Sequence, residues 1–202
     1  VRALKTMKAK PIWTRNLDAV LVRWKTCRDR NRAILHETAI NLCRIARDRG
    51  LVVLNDPDAL PKSSDKLFLS YLPEPLRPRM IVSRDPERLN AFVEESKGQT
   101  VLKPLFGTHG RGVFRVTAGS ANLSALIEVL TDEGYVIAQD YLRRAVEGDR
   151  RVIVIEGKPL EVDGVPCAVR RVPHTGEFRS NVHLGGQTEA VTPPRQPAAD
   201  GK

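Results

Sequence analysis

A lysine inside an apolar strand, followed by a turn of three glycines and then a second strand, constrains this chain more than any other feature. The stretch reads Val101-Leu102-Lys103-Pro104-Leu105-Phe106-Gly107-Thr108-His109-Gly110-Arg111-Gly112-Val113. Glycines let backbone N–H groups turn inward and approach phosphate oxygens closely. Lys103 adds a point charge suited to phosphate. The G-K-[ST] ending of a Walker A loop is missing, and a strand rather than a helix follows, which excludes the dinucleotide fingerprint. A tight hairpin with a lysine at its strand end is the plain alternative.

Two further segments carry polar side chains in suggestive places. Ala138-Gln139-Asp140-Tyr141-Leu142 ends a strand, where backbone groups can read the edge of a base while Leu142 forms an apolar wall. Asp149, Arg150 and Arg151, then Arg170, Arg171, Arg179 and Asn181, form a run of arginines and polar residues. Guanidinium groups bind carboxylate and phosphate oxygens in bidentate fashion, so the run suits an acyl-phosphate. A solvated basic face is the alternative for any one of them.

Composition narrows the partners. The net charge of +9 points to an anion, either nucleic acid or a nucleotide with an acidic small substrate. Aromatic residues make up only 5% and do not interleave with basic ones, which weakens the nucleic-acid reading. No apolar run approaches the roughly 18 residues that span a bilayer. Val1 to Lys10 is basic without an apolar segment after it, so no signal peptide and no membrane are expected, and the expected location is cytoplasmic. Cys27, Cys43 and Cys167 are odd in number and far apart, which fits a reduced compartment. His36, His109, His174 and His183 lack zinc-ligand spacing with them.

The apolar pattern predicts a strand over 18–24 and a helix over 32–49, with Ile34, Leu35, Leu42, Ile45 and Ala46 at near-helical spacing and Gly50 as its stop. A strand over 51–54 follows, then a short helix from Lys66 to Tyr71 capped from Ser63-Ser64-Asp65. Met80 to Val82 reads as a strand, and Asp85 as the cap of a helix reaching about Lys97. Strands over 100–105 and 113–116, a helix over 121–131 and a strand over 135–139 come next. Arg151 to Ile155 and Val165 to Val172 read as one antiparallel pair turning at Asp163-Gly164. From Arg179 onward a flexible loop is expected, and the Pro-rich end a disordered tail.

In order, Ser64-Asp65-Lys66-Leu67-Phe68, the Lys103 strand with its glycine turn, Ala138 to Leu142, Gly148-Asp149-Arg150-Arg151-Val152, Arg171-Val172-Pro173 and Gly176 to Asn181 resemble the prokaryotic glutathione synthetases of the ATP-grasp superfamily. The resemblance covers about residues 45 to 192. It implies an α+β ATP-grasp fold, two subdomains clasping ATP, with a shortened α/β N-terminal domain and an incomplete C-terminal subdomain. The implied divisions are 1–60 for the first domain, 61–118 for the small subdomain, 119–192 for part of the large one and 193–202 for the tail.

The resemblance also implies roles. Lys66 and Lys103 contact the ATP phosphates, and Gly107, Gly110, Arg111 and Gly112 cover them. Gln139, Tyr141 and Leu142 line the adenine pocket, with Asp149 near the ribose. Arg151, Arg171 and Arg179 hold the substrate carboxylate and the transferring phosphoryl group, and Asn181, Gly185 and Gly186 contact substrate. The implied reaction joins γ-glutamylcysteine to glycine through an acyl-phosphate, giving glutathione, ADP and phosphate. The family's magnesium ligands lie on later strands, so no metal ligand is expected in this chain, and alone it is expected to bind ATP weakly and turn over little or nothing.

Two departures bear on substrate choice. The turn reads Gly-Thr-His-Gly-Arg-Gly rather than a Gly-x-x-Gly-Gly type, and Leu160 to Gly164 looks longer than the family's hairpin. Three alternatives stay open. One is an ATP-grasp ligase that adds glutamate to a peptide or protein. Another is a non-catalytic ATP-binding module working as a homo-oligomer or with a complementary partner chain. The third is a basic nucleic-acid binder.

Overall fold

A computed structural model of the chain describes residues 13–23, 30–63, 66–106, 110–180 and 185–190. The chain divides into two compact units between Leu72 and Pro73.

In the first unit β1 (Ala19–Leu21) and β2 (Val52–Leu54) run parallel, with Val20 opposite Val53. A parallel pair needs a crossover, and α1 (Arg30–Asp48) falls between them in the chain. Gly50, at φ +90°, ends the helix. Its N–H donates to the Arg47 carbonyl, and the Leu51 N–H donates to the Ala46 carbonyl, a glycine C-terminal motif. Of the apolar side chains expected on this helix, Ala46 is buried along with Ile40, while Ile34, Leu35, Leu42 and Ile45 are exposed. Arg44 and Arg47 each reach Asp58 at 2.7 Å, just ahead of the short α2 (Ala59–Lys62). Ser63 closes α2, its hydroxyl donating to the Leu60 carbonyl, rather than capping the next helix. Ser64 and Asp65 lie outside the described residues. Lys66–Tyr71 is the expected short helix, in the tighter 3-10 form.

The second unit is built on β3 (Met80–Ser83), α3 (Pro86–Glu95), β4 (Thr100–Pro104), β5 (Phe114–Val116), α4 (Leu123–Asp132) and β6 (Val136–Asp140). The strands form one antiparallel sheet in the order β3-β6-β4-β5. Asp85 starts α3 by accepting the Glu87 N–H at 3.0 Å, with Pro86 at the first helical position. Residues alternate between the two faces of a strand, so Leu102, Val116, Val136 and Ala138 share one face. That face packs on Leu89, Phe92 and Val93 of α3 and on Leu123, Ile127 and Leu130 of α4.

A second sheet follows. The chain runs through β7 (Asp149–Val152), β8 (Val154–Ile155), β9 (Lys158–Pro159), β10 (Glu161–Val162), β11 (Val165–Pro166), β12 (Ala168–Val172) and β13 (Gln187–Ala190). β12 lies between β13 and β7, antiparallel to both. The single hairpin expected over 151–172 is corrected. β7 does pair with β12, but between them the chain makes two small hairpins, β8 with β9 and β10 with β11. Their turns are Glu156-Gly157 and Asp163-Gly164, with φ of +51°, +77°, +51° and +74°, which suits two-residue hairpins. Glu156-Gly157 lacks the usual Asn or Asp in first position, so only the second turn was conspicuous in the sequence. The expected flexible loop after Arg179 is corrected as well: Gln187–Ala190 is a strand, with all four residues exposed. Its ladder with β12 holds it there, and no apolar alternation announced it.

Leu102 has no exposed surface. Leu102→Ala should lower the unfolding free energy by about 2–5 kcal/mol. Leu142→Ala, at a residue 55% exposed, should change it by less than about 0.5 kcal/mol. Denaturant unfolding of the two variants measures both.

Candidate functional site

The sheet face turned away from α3 and α4 gathers several of the candidate residues. By alternation it presents Met80, Val82, Val101, Lys103, Arg115, Ile137 and Gln139. Lys103 sits opposite Ile137, and Gln139 opposite Val101, so two of the sequence-predicted residues share this face one row apart. The Gln139 Oε1 is enclosed without a hydrogen-bond partner among the described residues, and so is the Tyr141 hydroxyl. Such orphaned groups are costly and cluster where something else completes them. Tyr141 extends the ladder, its N–H donating to the Gln99 carbonyl at 2.8 Å. Leu142 follows, exposed.

The glycine turn leaves this sheet at the Lys103 end. Gly110 and Gly112 adopt φ of +73° and +67°. A side chain at Gly112 would sit 3.2 Å from the Pro104 ring, a tight approach that adds to the preference for glycine set by its φ. Arg111 between them is exposed. Gly107 lies outside the described residues. The Gly110 carbonyl accepts a hydrogen bond from the Arg179 guanidinium at 2.8 Å, which ties the turn to the segment after β12.

Arg179 is itself held by Glu177. Its Nε and Nη2 donate to the two carboxylate oxygens at 2.9 and 2.6 Å, and the Phe178 and Arg179 backbone N–H groups donate to the same carboxylate. The Arg179 guanidinium pulls the Glu177 carboxyl down to about 2, and Glu177 raises Arg179 in turn. The ring of donors is complete, and the fork leaves only Nη1 to reach Gly110.

The second sheet places Asp149, Arg151, Val169 and Arg171 on one face. Arg171 donates in bidentate fashion to Asp149, at 3.0 and 2.6 Å, while Arg151 stands 3.9 Å from the same carboxylate. Gly148 makes this approach possible. Its φ of +96° favours glycine, and a side chain there would collide with the Arg171 carbonyl. Arg150 and Arg170 are on the opposite face, and Arg170 donates to the Glu147 carbonyl. Of the expected substrate contacts, Gly185 is exposed and Gly186 buried, while Asn181 lies outside the described residues. Lys66 belongs to the first unit.

Sequence reasoning assigned no role to Arg115, Glu177 or Phe178. Strand alternation from Val101 across to β5 was the one signal that would have put Arg115 on the Lys103 face. The Glu177–Arg179 pair has an i, i+2 spacing that marks nothing in advance. Among the described residues no three His, Cys, Asp or Glu side chains gather as a metal centre requires.

Comparison with known proteins follows the same lines. The family profile described as "Prokaryotic glutathione synthetase, ATP-grasp domain" matches residues 65–196. Glutathione synthetase of Vibrio cholerae is 40% identical over 146 residues, 71% of this chain and 44% of its own length. That of Vibrio parahaemolyticus is 37% identical over 176 residues, 86% of this chain and 52% of its own. The chain thus spans about half the length of these curated relatives. D-cycloserine synthetase DcsG superposes with a TM-score of 0.52 at 17% identity, over 82% of this chain and 56% of its own. The ATP-grasp ligase PsnB complexed with minimal precursor gives 0.51 at 22% identity, over 83% and 52%. These two likenesses establish the ATP-grasp fold.

Because Glu177 is depressed to about 2, the stability it contributes is fully present above its ordinary value near 4.5 and is lost as pH falls towards 2. The stability gap between the wild type and Glu177→Gln should therefore stay constant from pH 7 to about 5 and shrink below that. Parallel denaturation curves across this range measure it.

Proposed function

The chain belongs to the prokaryotic glutathione synthetase ATP-grasp family, and from that premise we propose that it binds ATP and serves an ATP-dependent carboxylate–amine ligase reaction of the glutathione synthetase kind. The observation that supports this reading most is the shared sheet face of Lys103 and Gln139, with the Gly110 turn fastened by Arg179 at its end. A lysine charge and inward-turned amides at the end of a strand suit a triphosphate.

In this reading Lys66 and Lys103 bind the phosphates, and Gly107, Gly110, Arg111 and Gly112 lie over them. Gln139, Tyr141 and Leu142 border the base, whose edge offers the donors and acceptors that the enclosed Gln139 Oε1 and Tyr141 hydroxyl lack. Asp149 lies near the ribose and also orients Arg171. Arg151, Arg171 and Arg179 steady the substrate carboxylate and the phosphoryl group passing to it, and Asn181, Gly185 and Gly186 contact substrate. The carboxylate is that of γ-glutamylcysteine. It takes the terminal phosphoryl group of ATP, and the glycine amine displaces phosphate, so that ADP, phosphate and glutathione result. Catalysis rests on positioning and on charge neutralisation by arginine and lysine. Magnesium bound with the nucleotide would add to the charge neutralisation that lysine and arginine give the phosphates.

Calorimetric titration with ATP and magnesium tests the nucleotide half of this proposal. Lys103→Ala should weaken binding roughly tenfold or more, as expected for loss of a charged partner. Lys158→Ala, on the exposed β9, should leave it unchanged. Equal affinities for the wild type and Lys103→Ala would contradict the proposal.

A further inference from the structure

Arg115 stands out among the arginines of the second unit. Its guanidinium lies 5.2 Å from the centre of the Tyr141 ring and 5.1 Å from that of Phe178, and the two rings meet edge to face at 6.4 Å. Arg171 and Arg179 are each locked to a carboxylate. Arg115 has neither a carboxylate nor a hydrogen-bond acceptor among the described residues. Aromatic faces hold a guanidinium by its flat side and leave the N–H donors at its rim unspent. An arginine seated in this way keeps those donors available to a planar acceptor.

It also opens on a cavity. A cleft of about 350 Å³ is lined by Arg115, Pro173, His174, Thr175, Glu177 and Phe178, among others. Glu177 does not oppose an anion there, because its carboxylate is fully engaged by Arg179 and two backbone N–H groups. Among the described residues, Lys103, Gly110, Arg111 and Gly112 do not line this cleft. The cleft takes Arg115 from the sheet face that carries Lys103, and it lies beside the segment that carries Arg179.

We propose that Arg115 and this cleft form a carboxylate-binding subsite for the amino-acid or short-peptide substrate, with the guanidinium of Arg115 as the residue that recognises it. The proposal rests on the ligase reading above and names a specificity residue within it. A carboxylate matches the guanidinium rim in shape and takes two parallel hydrogen bonds. Proline, phenylalanine and the methyl-bearing threonine supply apolar wall for the rest of a small peptide.

Calorimetry on the full chain tests this with two probes, γ-glutamylcysteine and ATP with magnesium. Arg115→Ala and Arg115→Lys should each weaken γ-glutamylcysteine about tenfold or more, the lysine because it cannot make the paired contact, and should change ATP affinity by clearly less, through Tyr141 alone. An amidated γ-glutamylcysteine lacking free carboxylates should bind the wild type and Arg115→Ala alike. In case the variants fold poorly, the wild type alone gives a second readout. The Arg115 Nε–H resonance should shift on adding γ-glutamylcysteine and stay in place with the amidated probe. Unchanged γ-glutamylcysteine affinity in the variants, a loss confined to ATP, or an Arg115 resonance that ignores the dipeptide would each overturn the proposal. Failure of ATP to bind the wild type would instead count against the nucleotide reading, and the dipeptide measurements would still decide this one.

Discussion

Alternation along a single strand governs this structure. On β4, Leu102 turns towards α3 and α4, and Lys103 turns the other way. Moving the register by one residue would bury the lysine under two helices and expose the leucine, so the apolar core and the charged face specify each other. Leu89, Ile127 and Val136 have no exposed surface, which makes any such slip prohibitive. The same register carries Gln139 and Arg115 to the Lys103 side. Packing on one face thereby sets the geometry of the site on the other.

The second sheet adds what the first cannot supply. Its arginines project from β7 and β12. Arg171 there, and Arg179 in the segment that follows, are held to carboxylates at 2.6 Å, while Arg151 stands farther off, 3.9 Å from Asp149. Charge-assisted, bidentate contacts of this kind are the stronger hydrogen bonds in proteins and hold a guanidinium in one orientation. Glu177 orients Arg179, and Arg179 in turn grips the Gly110 carbonyl. The glycine turn is thus tied to a segment 69 residues further along the chain. Loop conformation and arginine position are coupled through one guanidinium.

Much of this was legible in the sequence, for identifiable reasons. Asp85-Pro86 announced a capped helix, Gly50 a helix end, and the Lys103 strand with its glycines a strand–turn–strand. These are local rules, read from neighbouring residues. What escaped was non-local or chemically quiet. β13 is four polar or small residues held by cross-strand bonds to β12 alone. Glu156 turns a hairpin from a left-handed conformation that its residue type does not favour. Ile40 is buried where four flanking apolar residues of α1 are not, a choice made by packing rather than spacing. The Arg115 seat required Tyr141 and Phe178, which lie 26 and 63 positions later in the chain, to meet around it. The motifs resembling the ATP-grasp family named the candidate residues by order and spacing, and the partner of each arginine emerged only from the fold.

Hydrogen exchange of the full chain with and without ATP and magnesium tests the claim that the nucleotide lies on the Lys103 face. The account predicts slowed exchange in 101–106, 110–113 and 139–142, with α3 and α4 unaffected on the far side of the sheet. Protection centred on those two helices, or none in the β4 and β6 segments at saturating nucleotide, would contradict it.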